Sequence, residues 1–255
     1  MLSLLSRCSI LQSGVLRGAT DWHCHLLPGV DDGSPTLADT LALLAVYRQA
    51  GISEVWLTPH IMEDYPNTPA RLRQCFDQLL ADLRTEAGEH PAPDPAAEMP
   101  RLRLAAEHML DNLFPQRLAK GDVLPIGPRG DHLLVETSYF NPPLRLHDTL
   151  RSILAQGLRP LLAHPERFVY MQRPDYLTLL QMGVRLQVNL PSLAGAYGPE
   201  AQHKAQWLVK EGHVTLLGTD AHRLPALQRA LNTPTRFIRR HTALLSQLSH
   251  AQLPG

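Results

Sequence analysis

The sequence predicts a single-domain α/β protein whose seven βα units close, or nearly close, into a barrel, with the working face at the C-terminal strand ends. Three observations predict it. Short β-rich runs alternate with longer helical patterns, the signature of parallel strands joined by helical crossovers. Leu133-Leu134-Val135 and Leu161-Leu162-Ala163 are continuously apolar, as in strands buried on both faces. The chain length, 255 residues, suits a single barrel of roughly 250 residues.

The elements follow in order. Strands are expected at Thr20–Cys24, Ile52–Thr58, Arg101–Glu107, His132–Glu136, Arg159–Ala163, Val184–Asn189 and Val214–Thr219. Helices are expected at Thr36–Ala50, Pro69–Glu86, Leu144–Gln156, Pro174–Met182, Ala201–Glu211 and Leu224–Leu231, with Gly51, Gly183 and Gly212 closing three of them. Residues 88–100, with four prolines and no periodicity, read as a surface excursion inside the domain. Thr235–Leu248 suits one last amphipathic helix, its arginines on the solvated side. Residues 1–20 read as an extension ahead of a domain spanning 21–255. They are Leu-rich, but Arg7 ends the apolar core after six residues, too few for a signal peptide.

Composition excludes several functions. Lys+Arg and Asp+Glu balance at 24 each, which argues against nucleic acid or an anionic membrane surface as partner. No apolar run approaches the roughly 18 residues that cross a bilayer. Three cysteines, Cys8, Cys24 and Cys75, cannot build a disulfide framework and fit a reducing cytoplasm. None has an arginine six residues downstream, so the chain lacks the Cys-x5-Arg loop of thiol-based phosphatases. Against this stand 13 histidines and only three lysines. Imidazole is the commonest metal ligand, so the places of the histidines carry the question of function. The oligomeric state stays open, a homo-oligomer included.

Polar residues recur at one place in the pattern. The first strand ends in Asp21-Trp22-His23-Cys24-His25, the second in Thr58-Pro59-His60, the third in Glu107-His108 and the fourth in Glu136. The fifth ends in His164-Pro165-Glu166-Arg167 and the seventh in Asp220-Ala221-His222. Unpaired charge at a buried strand end is costly, and six strands delivering imidazole or carboxylate to one rim make chance a poor explanation. Strand alternation turns His23 and His25 to one side and Cys24 to the other. Such ligands suit Zn²⁺, Mn²⁺ or Fe²⁺, and eight or nine of them are enough for two or three ions bridged by carboxylate. Cys24, His108, His132 and His213 read as packing or surface residues, and Glu166 as the structural partner of an arginine.

These motifs, with Leu27–Gly33 (LPGVDDG), TPH at Thr58–His60, HPERF at His164–Phe168 and TDAH at Thr219–His222, resemble the polymerase-and-histidinol-phosphatase superfamily. Within it they resemble the bacterial capsule and exopolysaccharide tyrosine-protein phosphatases. The resemblance implies a distorted (β/α)7 barrel and up to three metal ions, usually manganese. It implies His23, His25, Glu107 and Asp220 on one ion, Glu107, Glu136 and His164 on a second, and Asp32, His60 and His222 on a third. Asp32 is preferred to Asp31 from its seven-residue offset after His25. Arg167 matches a phosphate-binding arginine. Arg223 follows His222 directly, whereas the family's second arginine lies several residues further on, so its equivalence is open. Asp220 or a neighbouring histidine would protonate the leaving group.

The function implied is a cytoplasmic phosphatase that hydrolyses phosphotyrosine on the tail of a membrane-anchored tyrosine kinase controlling polysaccharide export. A small-molecule phosphatase of the histidinol phosphate type is the alternative, and would show acidic groups for a substrate amine. An amidohydrolase would carry a carboxylated lysine at the end of the fourth strand, where Glu136 stands. A non-catalytic binding protein would have lost ligands, and none of these positions is lost.

Overall fold

The computed structural model describes residues 6–89 and 99–253. Most of the Pro-rich excursion, residues 90–98, lies outside them. Nine strands are present among the described residues: β1 Thr20–Cys24, β2 Glu54–Leu57, β3 His60–Ile61, β4 Arg101–Leu104, β5 Glu107–Met109, β6 His132–Glu136, β7 Arg159–Ala163, β8 Arg185–Asn189 and β9 Leu216–Gly218. All pairings between them are parallel. Around them lie α1 Ile10–Ser13, α2 Leu37–Ala50, α3 Pro69–Glu89, α4 Phe114–Ala119, α5 Leu146–Ala155, α6 Arg173–Gln181, α7 Leu190–Leu193, α8 Gly198–Lys210, α9 Leu224–Asn232, α10 Arg236–Arg240 and α11 Thr242–Ser249.

The architecture is α/β with two parallel sheets, ordered β1-β2-β4 and β3-β5-β6-β7-β8-β9. One continuous barrel ladder, as the sequence suggested, is not what forms. The second expected strand is followed by an extra one beyond its end, and the third breaks in two. Pro59 has no N–H to continue the β2 ladder, and the chain restarts as β3. Between β4 and β5, the Ala105 N–H still bonds to Leu57 (2.9 Å), but the Ala106 N–H turns to Leu124 (3.2 Å). The far edges approach at a single bridge, Cys24 to Ala221, with His25 N–H donating to Ala221 O (2.9 Å) and Asp220 N–H to His23 O (2.7 Å).

Each sheet buries two faces. Trp22, Trp56, Ala105, Leu134, Leu161, Ala163 and Leu216 form an inner cluster, with the Trp22 and Trp56 rings stacked 5.6 Å apart. Val55, Leu57, Leu133, Val135, Leu162, Leu186, Val188 and Leu217 face outward onto the helices. α2 is set by Thr36, whose hydroxyl accepts from Asp39 N–H, and by Gly51 at φ 79° past its end.

The ends of the chain differ from expectation. Ile10, Val15 and Leu16 belong to the outer core, α1 is closed by a Ser9–Gln12 capping box, and Cys8 bridges to Thr235. The segment ahead of β1 is thus packed onto the domain from residue 8. The expected C-terminal helix is two helices, α10 and α11, which meet at His241. No helix among the described residues is long and apolar enough to cross a membrane.

Gly218 ends β9 against β1, where a Cβ would lie 2.6 Å from His23 Cβ and 2.9 Å from Gln187 Nε2. Gly218→Ala should therefore destabilise the protein by about 1–3 kcal/mol, as overpacking does. Denaturant unfolding checks this, and an unchanged midpoint would mean that the two strands separate freely.

Candidate metal centre

Strand β1 delivers its histidines through an irregularity. Thr20 and Asp21 pair with Glu54 and Val55, but Cys24 pairs with Leu57, so β1 carries one residue more than β2 over this stretch. A bulge of this kind re-aims side chains. Trp22 goes inward onto Trp56, and His23, the next residue, reaches the cluster above it. Cys24 goes outward into the apolar layer, its thiol toward Trp56 O at 3.4 Å, and His25 returns to the cluster. Asp21 is displaced from the cluster. It accepts from Thr219 N–H (2.8 Å), the Thr219 hydroxyl (2.6 Å), His23 N–H (3.2 Å) and the Tyr47 hydroxyl (2.6 Å), tying β1 to the end of β9. Burial pushes its carboxyl pKa up, against these hydrogen bonds.

All nine residues expected as ligands meet at the C-terminal strand ends. They form four overlapping groups: His25, Asp32, His60 and His222; His23, His25 and Asp220; His23, Glu107 and His164; and His60, Glu107 and Glu136. Glu107 is central. Its Oε2 lies 3.2 Å from His23, 3.3 Å from His25 and 3.2 Å from His60, while Oε1 meets His164 at 2.9 Å. Asp220 Oδ1 stands 3.6 and 3.5 Å from the Nε2 atoms of His23 and His25. His60 lies between two groups. Its Nδ1 faces Glu136 (3.0 Å) and its Nε2 faces Asp32 (3.5 Å), whereas the resemblance implies Asp32 and His222 as its companions. His164 (φ 34°) and Asp220 (φ 52°) hold left-handed backbone, a strain of about 1–3 kcal/mol each that concentrates at working sites.

These residues fit divalent cations. Neighbouring donor atoms are 2.9–3.6 Å apart, the edge of a coordination shell with bonds of about 2.1 Å. Glu107 Oε2, Glu136 Oε1 and His60 Nδ1 are buried and make no aligned hydrogen bond despite their closeness. Burial works against charged His23, yet Glu107 and Asp220 outweigh it and raise its pKa to about 10. His60 is likewise opposed by burial and raised to about 10 by Glu136 and Glu107. The carboxylates demand positive charge at this point, which clustered cations provide without protonating the ligands.

The two neighbouring aspartates divide their work. Asp32 is half exposed, with Oδ1 3.5 Å from His60 and 3.4 Å from His222. Asp31 lies behind the cluster, accepts from His25 Nδ1 (2.7 Å), His60 N–H (3.0 Å) and Gly33 N–H (2.9 Å), and so leaves His25 Nε2 turned inward. Burial would raise its carboxyl, but His25 and His60 hold it below the usual range. Glu166 is not paired with an arginine. Its Oε1 accepts from Asn189 N–H (3.0 Å) and the Ser192 hydroxyl (2.6 Å), which anchors the HPER turn to β8 and α7.

A cleft of about 820 Å³ opens over the cluster. Arg167 flanks it, its guanidinium between the Tyr139 and Tyr197 rings at 4.3 and 4.2 Å and its Nη1 2.7 Å from Asp220 Oδ2. Arg223 lines the same cleft but spends Nη1 on the carbonyls of Gly33 and His222. Sequence reasoning missed Asp31's supporting place, Tyr139, Tyr197, Gln187 and Asn189. Only Asp31, by its adjacency to Asp32, left a signal.

The sequence model of the family described as "Capsular polysaccharide synthesis, CpsB/CapC" matches residues 19–245. The tyrosine-protein phosphatase YwqE of Bacillus subtilis is 29% identical over 206 residues, covering 79% of this chain and 76% of YwqE. The tyrosine-protein phosphatase CpsB of Streptococcus pneumoniae is 25% identical over 222 residues, 82% of this chain and 87% of CpsB. A crystal structure from a study of YwqE and CpsB as "unique metal-dependent tyrosine phosphatases" superposes with a TM-score of 0.74 at 25% identity, covering 92% of this chain and 96% of that one. With its fold matched over nearly its whole length and the family pattern running from residue 19 to residue 245, this chain belongs to the CpsB/CapC family of capsular polysaccharide synthesis.

Proposed function

We propose that this protein is a metal-dependent protein-tyrosine phosphatase acting in capsule or exopolysaccharide synthesis. The observation that carries the reading is the convergence of nine imidazole and carboxylate side chains, six of them lining one cleft beside a sandwiched arginine. Two or three divalent cations, manganese first and iron or zinc next, would be held by His23, His25, Asp32, His60, Glu107, Glu136, His164, Asp220 and His222. The same reading treats the two sheets as a distorted seven-unit barrel, supported by the Cys24–Ala221 bridge between their edges. Its substrate is the phosphotyrosine tail of a membrane-anchored tyrosine kinase, reached from the cytoplasm.

A phosphomonoester dianion repels an anionic nucleophile, and hydroxide is scarce at neutral pH. Cations in such a cluster neutralise phosphate oxygens and lower the pKa of water toward 7. Arg167 binds the equatorial oxygens where charge accumulates, its plane held by the tyrosine rings and Asp220. A tyrosine leaves as phenolate, whose conjugate acid has a pKa of about 10, so the demand on a general acid is small. His222 lines the cleft close enough to deliver that proton, whereas Asp220, despite its burial, is kept a carboxylate by the imidazoles and Arg167 around it. The histidinol phosphate alternative needs a carboxylate free to bind an amine, and among the described residues every carboxylate lining the cleft (Asp32, Glu107, Asp220) already belongs to the cluster.

Two outcomes follow. A chelator should abolish hydrolysis of a phosphotyrosine peptide and Mn²⁺ should restore it, while thiol alkylation leaves it intact. Activity that survives exhaustive chelation would refute the proposal. Arg167→Lys should retain cations but lose roughly a hundredfold in kcat/KM, since Lys cannot reproduce the bidentate fork. Arg223→Lys should lose less, because Arg223 is already engaged with backbone carbonyls. Steady-state kinetics with parallel elemental analysis decides, and Arg223→Lys proving the worse variant would displace Arg167 as the phosphate clamp.

A further inference from the structure

Strand β8 contributes no ligand to the cluster, yet it places two amides against it. Gln187 and Asn189, two residues apart and on one face of the strand, are both fully buried. Asp220 Oδ2 receives Asn189 Nδ2 at 2.8 Å and Arg167 Nη1 at 2.7 Å. Asn189 Oδ1 receives Gln187 Nε2 at 2.9 Å, and Gln187 Oε1 meets His23 Nδ1 at 2.8 Å. The ladder thus runs from Arg167 through Asp220, Asn189 and Gln187 to His23.

Its polarity is fixed from one end. A carboxylate beside an arginine only accepts, so Asn189 must turn its NH₂ to Asp220 and its oxygen to Gln187. Gln187 must then donate to that oxygen, which leaves its own oxygen facing His23. His23 must therefore carry a proton on Nδ1, and its Nε2 is the atom aimed at Glu107 and His25. At the other end, Oδ2 of Asp220 is taken by Asn189 and Arg167, so that Oδ1 alone faces the imidazoles.

We infer that Gln187 and Asn189 are positioning residues: they set the tautomer of His23 and the oxygen that Asp220 presents, and they link the cation site to the Arg167 phosphate clamp. Hydrogen-bonded partners of this kind hold ligands in orientation, and their loss typically weakens metal affinity by about 10–100-fold. The inference rests on reading the cluster as a cation site, and its test separates the two.

The experiment is calorimetric titration of the chelator-stripped full chain with Mn²⁺, alongside the melting temperature of the stripped protein. Gln187→Met and Asn189→Ala should bind Mn²⁺ about 10–100-fold more weakly. Gln187→Glu keeps an acceptor for the His23 Nδ1 proton but loses the donor to Asn189 Oδ1, so it should bind more weakly than the parent and more tightly than Gln187→Met. A merely structural role would lower the melting temperature of all three variants and leave their Mn²⁺ affinity unchanged. That result overturns the inference, as does a Gln187→Glu protein that binds as weakly as Gln187→Met or, where Gln187→Met is too unstable to compare, an Asn189→Ala protein that binds as tightly as the parent. Failure of the parent chain to bind Mn²⁺ overturns the cation reading itself, and the inference with it.

Discussion

Three buried carboxylates, Glu107, Glu136 and Asp220, stand within reach of one another's imidazole neighbours at the bottom of a cleft. Negative charge out of water is the constraint on which the rest of the site depends. It explains why imidazoles surround the acids, why Arg167 is drawn to Asp220, and why Glu107 Oε2, Glu136 Oε1 and His60 Nδ1 are left without aligned hydrogen-bond partners in the cluster. Parallel strands ending at one level allow residues far apart in sequence to share this charge.

The outer contacts hold that arrangement in place. Asp21 and Thr219 lock β1 to the end of β9, and Asp31 orients His25. Glu166 joins the HPER turn to β8, while the two tyrosines fix the plane of Arg167. None of these groups needs to touch a cation. Each removes a rotation that the ligand or the arginine would otherwise have, so the cleft is organised before substrate enters.

Much of this was legible in the chain. β1, β6 and β7 have the expected boundaries, β6 and β7 from their apolar runs, and eight of the nine candidate ligands were marked by polar residues at the ends of expected strands, Asp32 coming only from the family resemblance. What escaped depends on register. The bulge in β1 has no local signature, yet it sends Trp22 inward beside His23 and turns Asp21 away. Gln187 and Asn189 look like ordinary strand residues until β8 lies beside β9 and β1. The break at Pro59 was visible as a residue type, but the division into two sheets follows from how β4 and β5 then pair.

The central claim is that the nine side chains hold more than one divalent cation. Crystals grown with Mn²⁺ and measured on both sides of the manganese absorption edge test it most directly. The account predicts two or three anomalous peaks enclosed by His23, His25, Asp32, His60, Glu107, Glu136, His164, Asp220 and His222, with Glu107 touching more than one. Crystals of active protein with no peak in this cluster, or with manganese bound elsewhere, would contradict it.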